Sequence, residues 1–409
     1  MSDHVKRLPA GVAPAEVRSW PVTAAEQWRD AVPRGVLAPG PGAWTLAAAT
    51  GVFWVMTWHD VTALPSSTVW SVYGEVVLLG LLPLWYRYLP GAAALAAAVL
   101  PVNSLLFLIT YDTTAEDRVR HLLELAVAVY AFTGAWTRLR ARRRQRTLFR
   151  SAAGAATHPL PAQSALAGRR RYAMWWALSG GGLCLIAAAL LLYGLNRDLA
   201  AHGTDSPYNA FNEQGYALVC LMAGTPLLGR GVGVWWALRR LASGSRPVLV
   251  IGVRVSEVGF HWLYPNAVTT TAGPLAARSR WSTGRTWGRQ PLVGGAEESL
   301  RKAHRDVDAR REPYEALLYG EAYEGAEILL RSAVYNQAGN RIVSDYVVAG
   351  LLPNRPPQAR PWHPAVGSHR LDVRASQAAE REKRAERERT GSTGGGCGGC
   401  GNSCGGCGD

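Results

Sequence analysis

Four of the six cysteines lie close together near residue 400, in a pattern that can bind metal. Cys397, Cys400, Cys404 and Cys407 form C-x2-C-x3-C-x2-C. Two CxxC pairs supply four thiolates, the number that a tetrahedral zinc or iron–sulfur site requires. Structural zinc sites usually separate the pairs by about a dozen residues or more, so that a folded segment fits between them. The short spacing here favours weak zinc binding and stronger binding of Cu(I), which prefers thiolates and needs fewer of them.

The same tail has two further interpretations. Glycine-rich sequence buries little apolar surface, so we expect residues 391–409 to be disordered without a ligand. The thiols are then either redox-active, or they belong to a disordered tag in which they are simply tolerated or are substrates for modification. The other two cysteines, Cys184 and Cys220, lie in apolar stretches, where we expect them to be small packing residues.

Ionisable residues within apolar stretches form a second candidate site. Each costs about 2.5–3.5 kcal/mol in a bilayer on insertion scales, and such residues often mark ion or proton pathways. Glu75 and Glu124 lie at matching depths of two predicted spans, about 10 and 8 Å from one membrane face. His121 shares the helix face of Glu124 because it lies three residues before it. His59 and Asp60 end the first predicted span on the same side. Together these side chains predict an outward-facing cation, metal or proton site.

An alternative interpretation separates these groups. If the fourth span starts later, His121 and Glu124 lie among lipid headgroups, and Glu75 pairs locally. Arg230, within GTPLLGRGVGVWW, is the deepest basic residue, and it lies too deep to pair easily with Glu75. We expect its side chain to extend towards the cytoplasm. The neighbouring glycines and Pro226 are typical either of close helix packing or of a broken transporter helix.

Six apolar stretches must position these residues, and each has about the 20 residues needed to cross a bilayer. Trp and Tyr cluster at their ends, as is typical of the membrane–water interface. We therefore expect a membrane all-α bundle of six transmembrane helices. The spans lie near residues 43–64, 68–87, 91–111, 119–138, 172–194 and 215–238.

The distribution of Lys and Arg predicts the orientation of these spans. The lead (residues 1–42), the turn at Arg87 and the loop 138–171 carry sixteen Lys and Arg between them. The opposite side has only Arg118 and Arg197, with Arg120 at a helix edge, and is rich in acids. The positive-inside rule then predicts a bacterial inner (cytoplasmic) membrane protein with both termini in the cytoplasm. The Pro-rich lead lacks the early apolar run of a signal peptide, so we expect it to be retained as a cytoplasmic segment.

The loop 138–171 is the most basic part of the chain, with ten arginines and no acid. Near anionic headgroups each basic residue contributes roughly 1 kcal/mol, so we expect this loop to contact membrane lipids. Nucleic-acid binding is the alternative, but apart from Phe149 no aromatic residue is interleaved for base stacking. We expect no nucleic-acid partner.

The rest of the chain divides into three parts. Residues 243–351 predict a small cytoplasmic α+β domain, with a strand over 247–255, a helix over 297–311 and a hairpin of 326–335 with 341–349. Residues 352–390 predict a Pro-rich linker and a charged segment. Residues 391–409 are the Gly/Cys-rich tail. Lone His261 and His304 are expected to be ordinary surface or packed residues.

The composition and missing motifs limit the classes of function. Hydrophobic residues make up 48% and charged residues 18% of the chain, which excludes an ordinary soluble enzyme. No lysine lies in a GK[ST] context, and HExxH and CxxCH are absent. The sequence thus names no reaction, and it favours a non-enzymatic role.

The Arg-rich, Lys-poor composition and the ending CGGCGNSCGGCGD resemble uncharacterised actinobacterial multi-pass membrane proteins with a Gly/Cys-rich C-terminal tail. The resemblance covers the last twenty residues and implies no functional residues. Two functions follow from the residues themselves. The first is a membrane scaffold or accessory protein whose cytoplasmic parts recruit protein partners or metal. The second is a small-cation or metal transporter that uses Glu75, His121 and Glu124.

Overall fold

The computed structural model consists of long helices joined to a small antiparallel sheet. It describes residues 8, 12–62, 70–110, 114–202, 208–255, 261–267, 276–278, 290–291, 314–336, 341–352, 381–382 and 384. The helices are α1 (Val22–Asp30), α2 (Pro39–Thr62), α3 (Trp70–Tyr88), α4 (Pro90–Thr110), α5 (Ala115–Ala153), α6 (Leu166–Ala201) and α7 (Phe211–Ala242). Over its described residues, each predicted span lies in one of the helices α2 to α7.

Among the described residues, four helices are long and apolar enough to cross a membrane, which indicates a membrane protein. They are α4, α5, α6 with the short turn before it (Gln163–Ala201), and α7. Large apolar side chains on these helices face outwards, as a lipid environment requires and water would oppose. Examples are Ile109 (81% exposed), Leu185 (72%) and Val219 (65%).

Helices α2 to α5 form one bundle with a core of small and aliphatic side chains. Ala93, Ala96 and Ala97 of α4 are buried with Ala128 and Ala131 of α5, so the two helix backbones lie close together. We call the helix ends nearest the sheet the sheet end, and the opposite ends the far end. Helix α5 begins at the far end, where Thr114 Oγ accepts the Asp117 backbone N–H at 3.2 Å as an N-cap. It continues past the bundle to Ala153.

Helices α6 and α7 form an antiparallel hairpin with small residues at its contact. Ala173, Gly180, Ala187 and Gly194 are buried at seven-residue intervals on α6, and Ala217, Gly224 and Gly231 follow the same interval on α7. A Cβ on Gly180 would lie 2.7 Å from the carbonyl oxygen of Gly224 and would clash with the Leu228 backbone nitrogen. Helix α7 contains Pro226 and is continuous, so the broken-helix interpretation does not apply.

The strands are antiparallel, and their pairings close into a ring. β2 pairs with β3, β3 with β4, β4 with β8, β8 with β7, β7 with β6, and β6 again with β2. β1 and β5 add to the edges of β2 and β7. The strands are β1 (Thr157–His158), β2 (Arg246–Val255), β3 (His261–Tyr264), β4 (Ala276–Arg278), β5 (Gln290–Pro291), β6 (Tyr314–Tyr319), β7 (Glu327–Asn336) and β8 (Arg341–Leu352).

The sheet is packed against the helices through two apolar clusters, because alternate residues of a strand point to opposite faces. Leu249, Ile251 and Leu318 lie in one cluster with Trp20, Trp28 and Phe149 from the lead and α5. Val248, Leu317 and Leu329 lie in the other with Leu166, Leu238 and Leu241 from α6 and α7. The sheet domain therefore sits directly on the sheet end of the helices.

Several predicted features differ from the structure or fall outside it. The segment 138–171, predicted as a loop, is helical to Ala153 and again from Leu166. The lead, predicted only as a Pro-rich segment, contains helix α1, which begins at Val22 after Pro21. In the charged segment, the described residues 381, 382 and 384 are helical. The predicted helix over 297–311, His304 and the tail at 391–409 lie outside the described residues.

Candidate functional site

Glu124 and His121 are buried together near the far end of the bundle. Glu124 Oε2 lies 3.7 Å from His121 Nδ1, and the two side chains are 1% and 3% exposed. The spacing of three residues on α5 places them on one face. Within the part of the chain that the structure describes, neither carboxylate oxygen of Glu124 receives a hydrogen bond. A buried carboxylate without a hydrogen-bond donor is costly, and such a group in a membrane helix is a candidate functional residue.

Two neighbouring helices add polar groups to this pair. Ser104 of α4 is fully buried, and its hydroxyl lies beside the Glu124 carboxyl without hydrogen-bond geometry. Glu75 of α3 is near enough for its charge to act on that of Glu124. Arg120 acts on both carboxylates and also lies 3.7 Å from Asp117. We call Glu75, Ser104, Arg120, His121 and Glu124 the far-end cluster.

The far-end cluster contains the three residues that the sequence singled out and two that it did not. Ser104 gave no signal, because a lone serine in an apolar helix is unremarkable in sequence. The sequence analysis placed Arg120 only at a helix edge. In the structure its charge acts on both carboxylates, so it adds a cation to the cluster. His59 and Asp60 lie on α2, and their side chains are outside the described part of the chain.

Hydrogen bonds at the far end hold α3 against α6 and α7. Trp70 Nε1 donates to Asp198 Oδ2 at 2.8 Å, and Tyr73 Oη donates to the Gln214 carbonyl at 3.0 Å. Just before α7, Tyr208 donates to Glu213 at 2.6 Å, and this hydrogen bond raises the pKa of the Tyr208 phenol. The cluster is thus positioned by a bundle whose helices are tied together at the same level.

Arg230 lies elsewhere in the molecule. Its guanidinium is 4.4 Å from the ring centroid of Trp176 on α6, a cation–π distance. The cation close to the two carboxylates is Arg120 rather than Arg230. The tail cysteines, Cys397, Cys400, Cys404 and Cys407, lie outside the described residues. Within the described part of the chain, no group of three or more His, Cys, Asp or Glu side chains is arranged to hold a metal ion.

A second polar cluster joins the helices to the sheet and was missed in the sequence. Arg138 of α5 is 1% exposed, and its Nη2 lies 2.7 Å from Glu324 Oε1, which is 5% exposed. The same guanidinium donates to the Tyr86 carbonyl and, at 3.3 Å, to the Arg87 carbonyl at the end of α3. Arg138 therefore bridges α3, α5 and the turn between β6 and β7.

Three further arginines follow Arg138 along α5 at four-residue intervals. Arg142 lies 3.6 Å from Glu324, Arg146 lies 3.8 Å from Glu321, and Arg150 Nε donates to Glu321 at 2.7 Å. This spacing puts them on one helix face. We call Arg138, Arg142, Arg146 and Arg150 the arginine stripe.

Neutral side chains complete the joint between α5 and the β6–β7 turn. Gln145 accepts the Glu324 backbone N–H at 2.9 Å and donates to the Trp28 carbonyl at 3.2 Å. Trp28 Nε1 in turn donates to the Ala322 carbonyl at 2.8 Å. Arg146 lies over the Tyr323 ring, 4.0 Å from its centroid. The four-residue spacing was visible in the sequence, but its acidic partners lie far along the chain and no local pattern joins them.

The chain matches no known protein family, no curated protein and no solved structure. The far-end cluster and the joint between α5 and the sheet are therefore the features that indicate a function.

Proposed function

We propose that this protein is a multi-pass inner-membrane scaffold or accessory protein that holds its sheet domain in a fixed position at the cytoplasmic surface. The observation that carries the proposal is the buried Arg138–Glu324 pair, with 1% and 5% exposed side chains. Arg138 also donates to the Tyr86 and Arg87 carbonyls, so its hydrogen bonds are all made only when α3, α5 and the sheet keep this relative position.

The wider contact supports a rigid mount rather than a flexible linker. Arg169 at the start of α6 makes two hydrogen bonds to Glu327 of β7, at 3.0 and 2.7 Å. The arginine stripe on α5 contacts the turn between β6 and β7. Two separate helices therefore form ion pairs with the same β6–β7 hairpin. A domain held in this way presents a constant surface to partners, as recruitment at a membrane requires.

The proposal includes six spans with both termini in the cytoplasm. The positive-inside rule supports this orientation, since the sheet end carries the basic residues. It also includes a relationship to actinobacterial multi-pass membrane proteins with a Gly/Cys-rich tail. The cysteines of the tail are proposed either to bind Cu(I) or zinc, or to be modified.

Anionic lipid headgroups are proposed partners at the sheet end. The arginine stripe is largely engaged by Glu321 and Glu324, so other arginines must meet the lipids. Within segment 138–171, the arginines outside the stripe with exposed side chains are Arg140, Arg143, Arg144, Arg170 and Arg171. Replacing them with Gln should lower the anionic fraction of lipid that co-purifies with the protein.

Affinity purification from native membranes tests recruitment. A defined set of proteins should co-purify with the full chain and be lost when residues 246–352 are deleted. The variant Glu75→Gln/Glu124→Gln is the matched control, because it leaves the sheet untouched and should retain the same set. If that set persists without the sheet domain, the proposed role of the domain is wrong.

The second proposed function is small-cation or proton exchange at the far-end cluster. It is favoured by Glu124, whose carboxylate is buried within a membrane-length helix beside His121 and Ser104. The nearby Arg120 offsets part of the negative charge, which disfavours a divalent metal and favours a proton or a monovalent cation. Such residues within membrane helices commonly serve ion pathways.

Ligand-dependent thermal stability tests this second function. Monovalent cations or protons should raise the unfolding temperature of the purified protein, since a ligand that binds only the folded state stabilises it. Glu75→Gln and Glu124→Gln should each weaken this stabilisation, and the double variant should abolish it. Glu116→Gln, on the exposed first turn of α5, is the control and should behave like the parent. A parent protein indifferent to every cation and to pH would exclude the function.

A further inference from the structure

Each helix of the α6–α7 hairpin carries one cysteine near the contact between the two helices. Cys184 of α6 and Cys220 of α7 are both free thiols with partly buried side chains. A Cβ built on Gly224 would lie 3.0 Å from the Cys184 sulfur. Gly224 is four residues from Cys220, which is one helical turn on the same face of α7. The Cys184 sulfur thus contacts α7 within a turn of Cys220.

The register of the hairpin gives the same result independently. A Cβ on Gly180 would meet both Gly224 and Leu228, which are one turn apart on α7. Each step along α6 is matched by an equal step back along α7, so the same register places Cys184 between Cys220 and Gly224. The two thiols are also close enough to interact electrostatically. Their separation is set by glycines that bring the two backbones into contact.

We propose that Cys184 and Cys220 form a two-thiol site for a soft, two-coordinate metal ion of the Cu(I) class. Soft sulfur ligands select Cu(I), whereas structural zinc sites usually require four ligands. Binding is written as Cu⁺ plus two thiols giving one thiolate–Cu–thiol complex and one released proton. The ion remains Cu(I), so no oxidant or reductant is needed. This complex has no net charge, which suits the apolar middle of a membrane helix pair.

The proposal is independent of the far-end cluster and extends the proposed function to a specific class of metal. The tail cysteines supply four more soft ligands in the same chain, so the experiment must separate the two sets. A background variant with Ser at 397, 400, 404 and 407 removes the tail thiols and leaves the hairpin unchanged.

Titration of the full-length background variant with Cu(I), buffered by a colorimetric chelator, tests the site. We expect one equivalent of Cu(I) per chain, with X-ray absorption showing two sulfur neighbours. Cys184→Ser and Cys220→Ser should each lose stoichiometric binding. Met222→Leu, which removes a nearby thioether, is the matched control and should retain it.

A second measurement keeps the test informative if a serine variant unfolds. Oxidation of the background variant with copper phenanthroline should form an intramolecular Cys184–Cys220 disulfide, which mass spectrometry detects as a linked peptide pair. Folding of each variant is checked by its thermal unfolding, and Cys→Ala replaces Cys→Ser where needed. No Cu(I) binding in the background variant, binding that survives loss of either cysteine, or the absence of the linked peptides would overturn the proposal.

Discussion

At the scale of single residues, burial determines how much each ion pair at the joint affects stability. Glu324 and Glu321 lie three residues apart in one turn and both meet arginines of the stripe. Glu324 is 5% exposed and its partner Arg138 is 1% exposed, whereas Arg150, which meets Glu321, is 65% exposed. Exposed pairs contribute about 0–1 kcal/mol because water and salt screen them. A buried charge left alone is far more costly.

Replacing Glu324 therefore tests the joint more severely than replacing Glu321. Glu324→Gln leaves the Arg138 charge buried with a neutral partner, and it should lower the free energy of unfolding by about 3 kcal/mol. Glu321→Gln should lower it by less than about 1 kcal/mol. Chemical unfolding in detergent measures both. The double variant Arg138→Gln/Glu324→Gln should lose less free energy of unfolding than the two single variants lose in sum. In the double variant no unpaired charge is left buried. Equal effects of the two glutamate variants would contradict the prediction.

The candidate site could be predicted only in part, because the sequence gives the depth of a residue along a span but not how the helices pack. Depth along a span can be counted from sequence, so Glu75, His121 and Glu124 could be grouped by their positions in the chain alone. Ser104 and Arg120 join them through the packing of α4 and α5, which residue counting does not capture. Glu324 lies 186 positions from Arg138, and no local pattern links residues so far apart.

At the scale of elements, helices were easier to predict than their ends or the sheet. Apolar runs of bilayer length identified all six long helices. The sequence turned basic at residue 138, which suggested a loop, yet α5 continues to Ala153. Its basic turns are stabilised by pairing with acids of the sheet domain and by burial of Phe149. Among the strands, only the local pattern of β2 and the β7–β8 hairpin could be foreseen, because the ring closes through pairings distant in sequence.

In the α6–α7 hairpin, replacing two nearby glycines with Ala should change the stability of the protein in different directions. A Cβ at Gly180 would meet the backbone of α7, whereas a Cβ at Gly182 would meet nothing within 4 Å. Gly180→Ala should destabilise the protein by about 1–3 kcal/mol through overpacking. Gly182→Ala should be neutral or stabilising by up to about 1 kcal/mol, because Ala favours helix. Unfolding by SDS titration measures both changes. A Gly180→Ala variant as stable as the parent would show that the two helix backbones are not in close contact.

At the scale of the whole molecule, the helix ends have different charge. The sheet end carries the arginine stripe and the exposed Arg170, Arg171, Arg239 and Arg240, while the far end carries Glu116, Asp117, Asp198 and Glu213. This asymmetry agrees with the path of the chain, since α5 and α7 both run from the far end to the sheet. The sheet domain, the arginine stripe and the lead therefore all belong to one side of the proposed membrane.

Labelling of single cysteines with a membrane-impermeant maleimide tests which side this is. Cysteines are introduced one at a time at exposed positions, Ala115 and His202 at the far end and Ser151 and Ser243 at the sheet end, in a chain whose four tail cysteines are Ser. Cys184 and Cys220 stay in place, and that parent chain supplies the background signal. If the sheet end is cytoplasmic, intact cells should label only Ala115→Cys and His202→Cys, because the positive-inside rule keeps the arginines within. Permeabilised cells should label all four. Labelling of Ser151→Cys or Ser243→Cys in intact cells would contradict this orientation. The sheet domain, with any partner it recruits, would then lie outside the cytoplasm.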